Sequence, residues 1–278
     1  MHSPLVGVAW LHEHLNDEQL RIVDCRFSLQ DPQAGRQTYV AGHIPGALFL
    51  DLEQDLSAPV RPDRRGGRHP LPTPEALAQT LGARGIGNEH LVVAYDDPPA
   101  GGMYAPHLWW LLRWLGHDRV AVLDGGIKAW KEAGYPVTPS AVEHPPTLFK
   151  ANPRPEMVVD ASFVAHRPAS TVLLDSRAPE RYRGEVEPID PVAGHIPGAI
   201  NRNWLDSLDA AGKFKPAEAQ LKRFEGLEGE IVAYCGSGVS ATVNVLALEL
   251  IGKKARLYAG SWSDWVSDPS RPVAKGQE

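Results

Sequence analysis

The hexapeptide Gly42-His-Ile-Pro-Gly-Ala47 recurs letter for letter as Gly194-His-Ile-Pro-Gly-Ala199. The flanks recur with it. Val23-Asp24-Cys25-Arg26 answers Leu174-Asp175-Ser176-Arg177, Val92-Val-Ala-Tyr-Asp96 answers Ile231-Val-Ala-Tyr-Cys235, and Gly125 to Trp130 answers Gly260 to Trp265. A repeat this long with its internal order kept means that one folding unit is written twice. The 278 residues, 43% of them apolar, suffice for two cores. Two domains are therefore expected, at residues 1–137 and 158–278. The segment 138–157 between them reads as a linker draped over the surface, because five further prolines follow Pro136 before Met157.

Within each copy short strands alternate with helices. A strand closes on Asp24 or Asp175, the glycine-bearing hexapeptide follows, a helix lies near Pro74 to Leu81 or Pro216 to Phe224, and a second strand ends in Tyr95 or Tyr234. The strand segments are nearly continuous runs of Val, Ile and Leu, as in parallel strands covered on both faces. The expected fold class is α/β, each domain a mainly parallel sheet flanked by helices. In such sheets ligands sit beyond the carboxyl ends of the strands.

The second copy places a thiol at that point. In Ile231-Val-Ala-Tyr-Cys-Gly-Ser-Gly-Val-Ser-Ala241 an apolar strand ends on Cys235, and a glycine loop leads into a helix expected over Ala241 to Ile251, with Ser240 as its N-cap. Amides of a curled loop and a helix N-terminus lower a thiol's pKa and make it a nucleophile. A buried packing cysteine is the plainer alternative. The sequel Gly236-Ser237-Gly238 is too polar and flexible for a core, so Cys235 reads as a catalytic nucleophile. Cys25 ends a strand with no such loop and reads as a strand residue.

Composition excludes several classes. Two cysteines make no disulfide framework and, in such different contexts, no zinc site, so a reducing compartment and no metal or other cofactor are expected. The N-terminus turns polar at His12-Glu13-His14, too early for a signal peptide, and no run approaches ~18 apolar residues. A cytoplasmic protein without a membrane partner is expected. The net charge of -6 argues against nucleic acid, and the cluster Arg61, Arg64, Arg65, Arg68 is too local to reverse that. Gly236 to Ala241 also satisfies Gly-x-Gly-x-x-Ala, but only 37 residues follow Ala241, too few for a dinucleotide domain. Trp109, Trp110 and Trp114 fall at helical spacing and read as packing.

The duplicated Asp-x-Arg and Gly-His-Ile-Pro-Gly-Ala motifs, with a cysteine loop in the second copy alone, resemble the tandem rhodanese-fold sulfurtransferases over nearly the whole chain. Phosphatases sharing that fold use Cys-x5-Arg, whereas the sixth position after Cys235 here is Ala241. The loop Cys-Gly-Ser-Gly-Val-Ser-Ala is similar to that of 3-mercaptopyruvate sulfurtransferases, and it lacks the basic residues common in thiosulfate sulfurtransferases. Asp96 replaces the cysteine in the first copy and cannot carry sulfur, which implies a catalytically silent first domain.

His43 to Asp96 spans 53 positions and His195 to Cys235 spans 40, so copy one carries an insertion around Ser57 to Pro72. It reads as a loop crossing the domain interface. The resemblance implies that its His69 acts with Ser237 and an acid, Glu53 or the neighbouring Asp51, as a protease-like triad; an exposed loop histidine is the alternative. It likewise implies that Arg181 grips the donor carboxylate, with Arg183 in reserve. A second arginine common in the family, in a Glu-Pro-Arg setting, is missing: the chain reads Glu187-Pro-Ile189-Asp190. Arg177, matched by Arg26, reads as a structural ion pair, and His43 and His195 as fold residues.

The implied reaction is attack of Cys235 on the sulfur of 3-mercaptopyruvate, leaving a persulfide. The loop residues Gly236, Gly238, Val239 and Ser240 steady its charge, and a small thiol, thioredoxin or cyanide accepts the sulfur. A thiosulfate donor and a non-catalytic sulfur-relay or binding module are the alternatives.

Overall fold

The computed structural model describes residues 3–99 and 101–277. It falls into two compact units. The first comprises Met1–Ser57, Pro72–Arg154 and Leu208–Phe214; the second comprises Ala58–Leu71, Pro155–Ser207 and Lys215–Glu278. The division does not follow the chain simply. The insertion of copy one belongs to the second unit, and most of the expected linker belongs to the first. Backbone bonds account for that linker: Thr147 N–H donates to Gly82 C=O (2.9 Å), and Asn152 and Arg154 donate to Leu115 and Trp114 (2.9 and 2.8 Å).

The first unit contains strands β1 (Leu5–Val6), β2 (Leu20–Asp24), β3 (Ala47–Phe49), β4 (Leu91–Tyr95) and β5 (Val120–Leu123) in the order β1-β5-β4-β2-β3. Its helices are α1 (Val8–Glu13), α2 (Ala34–Ala41), α3 (Pro74–Ala83), α4 (Tyr104–Trp114) and α5 (Gly126–Glu132). The second unit repeats this with β6 (Val158–Val159), β7 (Val172–Asp175), β8 (Ala199–Asn201), β9 (Ile231–Tyr234) and β10 (Ala255–Tyr258) in the order β6-β10-β9-β7-β8. Its helices are α6 (Ala161–Ala165), α7 (Pro179–Tyr182), α8 (Ala217–Arg223), α9 (Ala241–Glu249) and α10 (Ser261–Trp265). Every ladder in both sheets is parallel. Central β4 and β9 are buried nearly throughout, which the uninterrupted apolar runs require. Trp109, Trp110 and Trp114 are buried in α4 and act as core.

The repeated motifs are explained by packing. In copy one the Asp24 carboxylate accepts from Arg26 Nε (3.0 Å) and from Tyr95 Oη (2.8 Å), and Arg26 Nη2 reaches the Gly42 carbonyl (2.9 Å). In copy two Asp175 accepts from Arg177 Nε (3.0 Å), whose Nη2 reaches the Gly194 carbonyl (2.7 Å). His43 stacks on Tyr39 at 3.9 Å and His195 on Tyr182 at 3.8 Å. Each tyrosine donates its hydroxyl to the alanine closing the hexapeptide, Ala47 or Ala199. Buried charges of this kind persist only when paired and hydrogen-bonded. Burial opposes the charge on Arg177, but the Asp175 carboxylate beside it holds the guanidinium firmly protonated.

Candidate active site

β9 ends at Tyr234, and Cys235 is the first residue beyond it, 2% exposed. Its N–H donates to Ser261 Oγ (3.0 Å), and its carbonyl accepts from Trp262 (3.0 Å), so α10 fixes the turn at both backbone groups. Ser261 has φ +56°, a left-handed conformation that L-residues adopt at a cost, and its hydroxyl donates to Tyr258 C=O (2.9 Å). Gly238, at φ +82°, lies where a Cβ would come 2.3 Å from the Ala259 carbonyl, so only glycine fits.

The amides of Gly236, Ser237, Gly238, Val239 and Ser240 donate to no protein group among the described residues, although the loop is buried through Val239. Buried N–H groups almost always have an acceptor. Five in succession at a helix N-terminus form a cradle for an anion. None closes a hydrogen bond on Cys235 Sγ itself. Ser240 takes the N-cap position of α9 without a side-chain cap bond, a correction to its expected role; its αR backbone does not bring the hydroxyl to the first amides.

The segment Ala58–Leu71 delivers His69 to this loop. Its Nδ1 lies 2.7 Å from Ser237 Oγ, both residues being buried. Burial, reinforced by the neighbouring Arg68 cation, pushes the imidazole down to about 4, so His69 is neutral at pH 7. Gly66 N–H donates to Asp264 Oδ1 (2.8 Å) and Arg68 N–H to Ser263 Oγ (3.1 Å). Gly67, at φ +83°, permits the approach, since a Cβ there would meet Gly260 O at 2.5 Å. His69 is thus a buried partner of Ser237 and not an exposed loop residue. Asp51 accepts the amides of Glu53 (2.8 Å) and Gln54 (3.0 Å), which commits one of its oxygens to its own turn. Glu53 is an exposed residue of that turn, in the first unit.

Arg181, on α7, donates Nε (3.2 Å) and Nη2 (2.7 Å) to Glu187 and Nη2 to Asp190 (3.3 Å). Glu187 lies below the ordinary carboxylate range: burial would raise it, but the Arg181 bonds and the amides of Asp190 and Ile189 prevail. Arg68 pairs with the other oxygen of Asp190. A Cβ built on Gly236 would lie 2.9 Å from Arg68 Nη2 and 3.7 Å from Arg181 Nη1, so both guanidiniums stand over the cysteine loop. Arg183 instead pairs with Glu185 (2.7 and 2.8 Å) at the surface, and it is not among the groups nearest Gly236. Arg68, Asp190 and Ser261 escaped the sequence reading. The signal for Ser261 was its alignment with Gly126, a glycine of φ +56°.

In the first unit Asp96 occupies the position of Cys235. Its carboxylate accepts the amides of Tyr104 (3.0 Å) and Ala105 (2.8 Å), the first two of α4. Burial outweighs these bonds and lifts the acid to about 7. Burial, with Asp96 and Asp24 adding to it, raises the Cys25 thiol well above its ordinary value. Among the described residues no group of three or more His, Cys, Asp and Glu is placed to hold a metal, and no helix is long and apolar enough to cross a membrane.

Comparison with known proteins gives the same architecture. The rhodanese-like domain model matches residues 7–133 and again 162–268. A probable 3-mercaptopyruvate sulfurtransferase of Pseudomonas aeruginosa is 49% identical over 99% of this chain and 99% of its own. The thiosulfate sulfurtransferase of Bos taurus is 32% identical over 100% of this chain and 97% of its own. The crystal structure of the 3-mercaptopyruvate sulfotransferase SseA from Escherichia coli matches with a TM-score of 0.83 at 33% identity, covering 94% of this chain and 99% of that one. With two matched domains and full-length relatives, the chain belongs to the rhodanese family.

Proposed function

We propose that the protein is a sulfurtransferase that moves a sulfane sulfur from 3-mercaptopyruvate through a persulfide on Cys235 to a thiol or cyanide. The observation that carries this reading is the run of five amides without a protein acceptor among the described residues, behind a cysteine at a strand's carboxyl end. A persulfide carries its charge on an outer sulfur about 2 Å beyond Sγ, which calls for donors near the cysteine. Neutral donors of fixed geometry there stabilise a sulfur anion.

In the loading step the Cys235 thiolate attacks the donor sulfur, forming the S–S bond. The donor's C–S bond breaks, its electron pair stays on carbon, and the resulting enolate takes a proton to give pyruvate. Arg181 Nη1 offers a cation for the donor carboxylate. Neutral His69 accepts a proton from Ser237 or orients its hydroxyl toward the donor carbonyl; Glu53 is the acid proposed to complete this set. The acceptor thiolate then attacks the outer sulfur, returning the Cys235 thiolate. Thioredoxin and small thiols fit this step, and the first domain takes no sulfur.

Two guanidiniums over the loop also suit a dianionic donor, and this favours thiosulfate as the second reading. Intact-mass measurement after incubation with each donor separates the two. One added sulfur from 3-mercaptopyruvate is expected, and none in Cys235→Ser. Sulfur on the Cys235→Ser variant refutes the assignment, and a gain from thiosulfate alone replaces the donor.

A further inference from the structure

The short helix α10 serves two loops at once. Toward the cysteine, Ser261 Oγ takes the Cys235 amide (3.0 Å), while Trp262 N–H donates to Cys235 C=O (3.0 Å) and Ser263 N–H to Gly236 C=O (2.9 Å). Toward the inserted segment Ala58–Leu71, which belongs to the same compact unit, Asp264 Oδ1 takes the Gly66 amide (2.8 Å) and Ser263 Oγ the Arg68 amide (3.1 Å). Between these two bonds Gly67 lies so close to Gly260 that a Cβ would come within 2.5 Å of the Gly260 carbonyl oxygen. His69 is the next residue after Arg68, and its Nδ1 meets Ser237 Oγ at 2.7 Å. Of the two backbone ties, the one to Asp264 ends on a charged group. Asp264 is 7% exposed, its other oxygen accepts the Tyr258 hydroxyl, and Arg271 Nη1 stands 3.8 Å from it. An amide bonded to a buried carboxylate is among the stronger ties that a loop makes.

The duplication shows which of these groups the architecture needs. Gly125 to Trp130 answers Gly260 to Trp265, so Ala129 stands where copy two has Asp264, and Lys128 where it has Ser263. At the end of the strand before the helix, Leu123 answers Tyr258. Copy one builds β5 and α5 with a leucine and an alanine at these points, so the fold itself does not call for a phenol and a carboxylate there. Burying such groups costs free energy unless each is bonded. In copy two their contacts lead to one another, to Arg271 and to Gly66. Burial, with the Asp264 charge adding to it, pushes the Tyr258 phenol far above its ordinary range, so it stays a donor to the carboxylate.

We propose that Asp264, gripped by the Tyr258 hydroxyl, is a positioning residue that docks the inserted segment on α10 and thereby holds His69 against Ser237. Its part in the reaction rests on the role given to His69 above. Asp264 acts through the loop backbone and not on the donor. The Cys235 and Gly236 bonds are made by Ser261, Trp262 and Ser263, so releasing Gly66 from Asp264 frees the histidine and leaves the cysteine loop in place. The loading half-reaction, which uses His69, therefore suffers, while discharge of the persulfide does not.

The test combines three measurements: single-turnover loading of Cys235 from 3-mercaptopyruvate, read by intact mass; discharge of the loaded sulfur to dithiothreitol; and NMR titration of the His69 imidazole, assigned by the signal lost in His69→Gln. Asp264→Ala carries the side chain that copy one has at this point. Tyr258→Leu combined with Asp264→Ala copies the whole pair and leaves no orphaned hydroxyl, which keeps the test open if the single variant does not fold. Both should load at least about tenfold more slowly and discharge within about twofold of the parent, as for a displaced group beside an intact cysteine loop. In both, His69 should titrate up from about 4 toward 6.5 as it meets water. Asp264→Asn keeps an acceptor for the Gly66 amide and should recover part of the loss. Loading within about twofold of the parent in both variants, or slow loading with His69 still titrating near 4, overturns the docking role. Loading and discharge that fall together overturn it too, since the cysteine loop and not the histidine has then moved. A parental loading rate in His69→Gln overturns the role given to His69, and the docking by Asp264 then stands or falls on the titration.

Discussion

The imidazole of His69 is uncharged at pH 7 because folding removes it from water beside Arg68. Its folded value of about 4 lies below the ordinary 6.5, so the unfolded chain binds the proton more readily. Stability contributed by the neutral ring is therefore complete above pH 6.5 and is lost as pH falls toward 4. Urea unfolding at pH 7 and pH 5 should show the parent losing about 2 kcal/mol more than His69→Phe; equal losses would remove the buried-neutral account. Cys235 was legible from its own strand-and-glycine-loop motif, and His69 and Arg181 only through the family resemblance. Arg68 was not: it stood in a basic run that looked like a solvated loop, and its partner Asp190 is 122 residues away.

At the scale of elements, the cysteine loop is shaped by the strand before it and by the short helix α10, whose Ser261 takes the Cys235 amide in a strained conformation. Ser261→Ala loses that acceptor and keeps the strain. Ser261→Gly loses the same bond but relieves the left-handed backbone, which costs about 1 kcal/mol or more in a residue with a Cβ. Thermal unfolding should rank parent, then Ser261→Gly, then Ser261→Ala, with the two variants about 1 kcal/mol apart; Ser261→Ala at or above Ser261→Gly would show that backbone strain at this position does not govern the turn. Strands β4 and β9 and helices α3, α8 and α9 were readable from apolar runs and from Pro74 and Pro216 near helix starts, and their ends moved by only a residue or two. The segment Ala58–Leu71 was readable as an inserted loop, but its docking was not, because nothing local records that the Arg68 amide bonds to Ser263, 195 residues away.

Over the whole molecule the repeat told most of the fold, since two copies of one order of strands fix two sheets of one topology. The copies differ in what they place at the carboxyl end of the central strand. Asp96, lifted to about 7, is a charge the first unit would shed if it could. Its folded value lies above the unfolded 3.8, so the penalty grows as pH rises toward 7. Asp96→Asn keeps an acceptor for the Tyr104 and Ala105 amides without the charge. Its stability advantage over the parent should grow by about 1 kcal/mol between pH 6 and pH 8, with transferase activity unchanged. An advantage independent of pH would refute the buried carboxylate.

A carboxylate cannot be oxidised, bridged to another thiol or trapped as a sulfinate, whereas a sulfur nucleophile is open to all three. With Cys25 held protonated beside Asp96, the first unit presents no thiolate for such reactions. On the proposed reading, duplication leaves the chain with a single chemical address, Cys235, where electrophilic sulfur is received and where oxidants do harm.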